Sequence, residues 1–132
     1  TYPLYPYGGI GVFRDFFGVQ FSIVHTTNVG AAWGVLENWP NLLVAIRIIF
    51  VSILSVWVVM SNGKKILLPI TLIISGALGN LIDFFLYGHV IDFLYFIFWG
   101  WPYPIFNLAD SAIFIGVFML FFKTYANKPV QK

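Results

Sequence analysis

Apolar positions in this chain run on in long stretches and seldom alternate with polar ones. Three stretches, Leu42 to Met60, Ile66 to Leu86 and Ile105 to Phe122, each approach the roughly 20 residues that cross a hydrocarbon core. All three predict transmembrane helices. Residues 1–41 are patterned differently. Pro3, Pro6, Gly8, Gly9, Gly11 and Gly18 break up aromatic and β-branched patches such as Val19-Gln20-Phe21-Ser22-Ile23-Val24, which predicts strands or an interfacial segment and no span. Between the second and third spans, residues 87–104 are almost wholly aromatic or aliphatic. Trp and Tyr favour headgroup level, so this stretch is expected to lie along the membrane surface as an interfacial loop.

Composition supports the same class. With 60% hydrophobic, 20% aromatic and only 9% charged residues in 132, and a mean hydropathy of +0.88, a soluble domain of this length has too little interior to hide its apolar side chains. An integral membrane protein, mainly α, is expected: one membrane domain, 1–132, built as a transmembrane helix bundle. The chain contains no cysteine, which excludes disulfides, thiolate nucleophiles and Cys-ligated metals. No nucleic-acid partner is expected.

The positions of the basic residues orient the spans. Lys64 and Lys65 lie in the short link between the first two, and Lys123, Lys128 and Lys132 follow the third. The positive-inside rule places both clusters on the cytoplasmic side. The expected layout is an extracytoplasmic β-rich or interfacial segment (1–41), spans at 42–60, 66–86 and 105–122, an extracytoplasmic loop (87–104) and a cytoplasmic tail (123–132). An external start lacking a basic, then apolar, export signal leads to the expectation of a further helix upstream.

The chain has five acidic residues. Asp92 precedes the third span and Asp110 stands just inside it. An intramembrane carboxylate costs a few kcal/mol even on insertion-based scales, so one that persists usually lines a polar cavity or a reaction site. The structural alternative is an ion pair or a helix N-cap, and an acid near a helix start is stabilising. Asp83 is read as a support that bonds Arg47 or backbone amides. Asn28, Asn80 and Asn107 are amides among apolar neighbours; helix-to-helix hydrogen bonding, worth about 0.6 kcal/mol each in membranes, is one account, and substrate binding is the other. Gly30, Ala31 and Ala32, like Gly76, Ala77 and Gly79, permit close backbone approach. His25 and His89 have no partner at helical metal-ligand spacing, and no Gly-x-Ser-x-Gly elbow surrounds Ser111. Neither a metal nor a cofactor is expected.

Four blocks carry a family resemblance: Asn28-Val29-Gly30-Ala31-Ala32-Trp33, Gly76-Ala77-Leu78-Gly79-Asn80-Leu81-Ile82-Asp83, Gly88-His89-Val90-Ile91-Asp92-Phe93 and Phe106-Asn107-Leu108-Ala109-Asp110-Ser111-Ala112-Ile113. In order and spacing they resemble bacterial lipoprotein signal peptidase, the type II signal peptidase, from about Pro6 to Phe122. The resemblance implies an intramembrane aspartyl endopeptidase of the bacterial inner membrane, acting as a monomer near the extracytoplasmic face. It would cut the signal peptide of a prolipoprotein before its diacylglyceryl-modified cysteine, with lipid and the prolipoprotein as its partners. It implies Asp92 and Asp110 as the catalytic pair, with Asn28, Gly30, Asn80, Asp83 and Asn107 binding substrate or supporting the site. The family's four-helix bundle again implies a helix upstream. Two positions depart from its pattern: Phe84 stands where Arg is usual and Trp33 where Phe is usual.

Such chemistry needs two acids. Water is a poor nucleophile toward an amide, so one carboxylate takes its proton while a protonated partner polarises the carbonyl. Two close carboxylates share a proton and titrate as a pair. The reading from another class is a small ion-coupled transporter or channel subunit, with Asp83, Asp92, Asp110 and Arg47 forming a cation path.

Overall fold

The structure is a computed structural model that describes residues 9–30, 36–61 and 66–126. Expectations that fall on 1–8, 31–35, 62–65 and 127–132, among them the Lys64-Lys65 link, close approach at Ala31 and Ala32, and the Trp33 departure, lie outside the described residues. Three helices, α1 (Pro40–Met60), α2 (Leu67–Tyr87) and α3 (Leu108–Ala126), accompany four strands, β1 (Ile10–Phe16), β2 (Val19–Asn28), β3 (Val90–Phe98) and β4 (Trp101–Pro102). The chain divides into two compact units: Thr1–Leu43 with Asp83–Asn107, and Val44–Ile82 with Leu108–Lys132.

The second unit holds most of the helical residues. All three helices are long and apolar enough to cross a membrane, and the protein is a membrane protein. Helix α1 is rich in Ile and Val, residues that in water favour strands. In hydrocarbon a helix wins, because it alone satisfies every backbone group within one segment. Pro40 suits the first helical position, where its missing N–H costs nothing. The hydroxyls of Ser52, Thr71, Ser75 and Thr124 each donate to the carbonyl four residues back, hiding a polar group in the helix itself. Helices α2 and α3 approach through small residues: a Cβ on Gly76 would run into the Ala109 carbonyl oxygen, and one on Gly79 would stand 3.2 Å from Ala109 Cβ. The close packing anticipated for Gly76 and Gly79 is therefore onto the first turn of α3.

The first unit is built on a four-stranded antiparallel sheet in the order β1-β2-β3-β4. Strand β2 pairs with β3 from Val19↔Phe98 to Asn28↔Val90, with an irregularity between Ile23 and Thr26. Aromatic rings line the sheet: Phe21 stacks on Phe96 at 4.4 Å between centroids, and Phe96 stacks on Phe98 and Phe106. Within residues 87–104, expected as a loop, Val90–Phe98 and Trp101–Pro102 are thus corrected to strands. Their aromatic and β-branched residues fit a pleated, half-buried surface, and β2 supplies the hydrogen-bonding partner that a linear reading cannot identify.

Two boundaries position the site. Helix α2 ends at Gly88, whose φ of 77° and N–H to the Phe84 carbonyl (2.8 Å) close the helix in the left-handed conformation open to glycine. Helix α3 begins at Leu108, later than the expected Ile105, because Phe106 is taken into the sheet. Its N–H donates to the Leu94 carbonyl, and its own carbonyl accepts from Phe93 and Leu94.

Candidate active site

Asp92 anchors a cluster within the first unit. It lies on β3 and is 3% exposed. Val90 and Asp92, two apart on a strand, share a face, and Asn28 pairs with Val90 across β2 and β3. Asn28 is therefore the diagonal neighbour of Asp92 on that face. Its Nδ2 donates to Asp92 Oδ2 at 3.1 Å. The amide's orientation follows from its other end, where Asn28 Oδ1 accepts the Gly30 N–H at 2.8 Å. That turn-forming bond two residues along occupies the oxygen and leaves the nitrogen for the carboxylate.

The second oxygen of Asp92 is held from the opposite end of the unit's chain. Asn107 Nδ2 donates to Asp92 Oδ1 at 3.0 Å and to the Ile91 carbonyl at 3.3 Å. Asn107 is 3% exposed and directly follows Phe106, which the sheet has already pinned. Asp83 joins from the last turns of α2, its Oδ2 accepting the Ile91 N–H at 3.2 Å. This is the backbone-amide partner anticipated for it. Both oxygens of the buried carboxylate thus receive amide N–H donors, as a buried charge requires.

Asp110 belongs to the second unit, in the first turn of α3. There the helix dipole favours an anion. Asn80, on α2 and 4% exposed, donates from Nδ2 to Asp110 Oδ1 at 2.8 Å. The Gly76 and Gly79 contacts with Ala109 lie one residue away and bring α2 close to this turn. Each acid is therefore held by asparagine amides inside its own unit: Asp92 by Asn28 and Asn107, Asp110 by Asn80.

One contributor escaped the sequence reading. Ile91 uses its N–H toward Asp83 and its carbonyl toward Asn107, so its backbone ties two polar side chains to the residue beside Asp92. No side-chain signal could have revealed it, since any residue type supplies the same groups. Of the two histidines, His25 is exposed and His89 is half-buried, its ring near Tyr87. Among the described residues, no three His, Cys, Asp or Glu side chains gather closely enough to hold a metal ion.

Comparison with known proteins adds to this geometry. A family profile described as signal peptidase (SPase) II matches residues 5–126. A lipoprotein signal peptidase of Pseudoalteromonas atlantica is 39% identical over 114 residues, covering 82% of this chain and 70% of the relative. One from Shewanella sp. strain MR-4 is 40% identical over 121 residues, covering 85% and 69%. A solved bacterial membrane enzyme, determined by the in meso method at 2.3 Å, superposes with a TM-score of 0.78 at 32% identity and covers 94% of this chain and 76% of its own. Matches of this extent settle the family: the chain belongs to the signal peptidases II and is a peptidase by descent.

Proposed function

We propose that this protein is an intramembrane aspartyl endopeptidase that removes signal peptides from diacylglyceryl-modified prolipoproteins, with Asp92 and Asp110 as its catalytic pair. The observation that carries the reading is the state of Asp92: a carboxylate 3% exposed, with an amide donor on each oxygen, in a chain of the signal peptidase II family. Amide donors on both oxygens fix the position of the carboxylate, which is what a group held ready for catalysis needs. Asp110, held by Asn80, supplies the second acid that amide hydrolysis demands.

In the proposed reaction the ionised member of the pair takes a proton from water, and the water oxygen bonds to the scissile carbonyl carbon. The protonated member gives its proton to the carbonyl oxygen, forming a gem-diol. Collapse breaks the C–N bond as a proton passes to the departing amine. Asn28, Gly30, Asn80, Asp83 and Asn107 hold the acids or bind the substrate backbone. Lys123 in the last turn of α3, together with Lys64 and Lys65, supports a cytoplasmic side for the basic ends. That orientation puts the acids at the extracytoplasmic face of the bacterial inner membrane, where the substrate's acyl chains can remain in lipid.

The test is cleavage of a diacylglyceryl-cysteine signal peptide by the chain reconstituted in vesicles, beside Asp92→Asn and Asp110→Asn. Cleavage that either substitution abolishes supports the pair. Full activity in either variant overturns it, and ion flux without cleavage in the same vesicles would favour the transporter reading.

A further inference from the structure

The second unit carries its charges at two levels. Of its basic residues, Lys64 and Lys65 fall in the link between α1 and α2, and Lys123, Lys128 and Lys132 fall at or beyond the last turn of α3. Arg47 alone is set apart, thirteen residues before Met60, the last residue of α1. The unit has a single acidic residue, Asp110, which stands thirteen residues before Lys123. A helix rises 1.5 Å per residue, so each lies about 20 Å from the basic end.

Chain topology sets these two at one height. Helices α1 and α2 are joined by residues 61–66 alone, a link so short that it makes them antiparallel neighbours. Arg47 is thirteen residues before that link along α1, and Asn80 is thirteen residues after Leu67 along α2, so the two residues lie level across the hairpin. Asn80 in turn donates to Asp110 Oδ1 at 2.8 Å. Helices α2 and α3 are antiparallel as well: side chains added at Gly76 and Gly79 would meet Ala109, and one added at Gly116 would meet Pro69 and Ile73. The level of Arg47 and Asn80 is therefore carried onto the first turn of α3.

The faces of α1 agree with this. Val44 and Val51 are each 8% exposed, and the half-buried Arg47 falls between them at spacings of three and four, on the same stripe. Ile46, Ile48, Ile49 and Phe50 are exposed. A charged side chain in a spanning helix faces the interior and pairs there with an opposite charge. The second unit offers one such charge.

We infer that Arg47 is a positioning residue for Asp110: its guanidinium pairs with the carboxylate from across the hairpin, while Asn80 holds Oδ1, and the two together fix where that acid points. The pairing also offsets the cost of a carboxylate among apolar helices, which is steep when it stands alone. Arg47 acts through Asp110 and touches no substrate. Its effect on cleavage rests on the reading of Asp110 as a catalytic acid; the pairing does not.

Two measurements test this and fail separately. The first is a double-variant cycle in the thermal unfolding of the full chain in detergent, with Arg47→Met, Asp110→Asn and both together. Paired side chains give a loss of melting temperature in the double variant well short of the two single losses combined; additive losses overturn the pairing. Arg47→Gln takes the place of Arg47→Met should the latter fail to fold. The second is cleavage of the diacylglyceryl-cysteine peptide by Arg47→Met and Arg47→Lys. We expect kcat to fall about ten-fold or more in Arg47→Met with KM little changed, and most of that loss to be recovered in Arg47→Lys, which returns a cation to the same place. With Asp110→Asn inactive, an unchanged kcat in Arg47→Met, or an equal loss in Arg47→Lys, overturns the positioning role and leaves Asp110 as a catalytic acid. Full activity in Asp110→Asn overturns the catalytic reading instead, and the unfolding cycle still decides the pairing.

Discussion

Asn107 donates a side-chain N–H to Asp92 Oδ1 at 3.0 Å, and both residues are 3% exposed. The same amide nitrogen reaches the Ile91 carbonyl, so one side chain satisfies two acceptors beside the proposed catalytic acid. Asn107→Ala would take a donor from both acceptors, at about 1–3 kcal/mol for each. We expect a fall in detergent melting temperature together with a loss of cleavage of ten-fold or more. Asn107→Asp should be worse than Ala in activity, because it sets an acceptor against the Asp92 carboxylate. Thermal melts and peptide cleavage measured on both variants check this.

Asn28 differs from Asn107 in where it is tied. Its oxygen is bound to the Gly30 N–H and its nitrogen to Asp92. Asn28→Asp keeps the bond to Gly30 and removes the donor to the acid. Because the new carboxylate also stands against that of Asp92, the expected outcome is lowered stability, with cleavage reduced by at least the worth of a hydrogen bond to a charged group, roughly 1.5–3 kcal/mol or ten- to a hundred-fold. Equal cleavage by the variant and the unsubstituted chain would show that the Asn28 bond does not serve Asp92.

Asp83 reaches the neighbourhood of Asp92 through the backbone N–H of Ile91. An amide oxygen can accept that N–H as well as a carboxylate oxygen can. Asp83→Asn should therefore retain most activity, whereas Asp83→Ala should lower it several-fold by freeing the start of β3. A loss as severe in Asn as in Ala would show that the charge of Asp83 matters beyond this bond. Parallel cleavage rates decide it.

The contact of Gly76 with Ala109 makes a prediction about packing. Gly76→Val would force α2 away from the first turn of α3, at the 1–3 kcal/mol typical of overpacking. It should also disturb the Asn80 bond to Asp110, so stability and cleavage should fall together. Unchanged melting in the variant would contradict the packing described here.

Gly18→Ala and Gly100→Ala form a matched pair. Both glycines have positive φ, but an added Cβ meets the Trp99 indole only at Gly18; at Gly100 it meets nothing within 4 Å. Gly100→Ala should cost about 1 kcal/mol from the backbone alone. Gly18→Ala should cost more and speed hydrogen exchange at the Trp99 amide. Native-state exchange measured on both variants reads the difference.

The membrane class, the three spanning helices and the candidate residues were legible in the sequence for a physical reason. An unbroken apolar run of span length permits few structures in lipid, and an acid near such a run stands out by its cost. The blocks around Asn28, Asn80, Asp92 and Asp110 were enough to suggest the family that the comparisons then established. The strands within residues 87–104 were missed because a strand's identity depends on its partner: the aromatic run that pairs with Val19–Asn28 carries no local sign of that pairing, and hydrogen bonding to β2 lies outside any local pattern. For the same reason only the tertiary structure decided what each polar residue touches. The sequence listed three asparagines and three aspartates among apolar neighbours, but register and chain reversal determine that Asn28 and Asn107 grip Asp92, that Asn80 grips Asp110, and that Asp83 reaches its neighbour through a backbone amide. Hydrophobicity is a property of each residue and can be read along the chain; hydrogen-bond partnership belongs to pairs far apart in it, and exists only once the chain has folded.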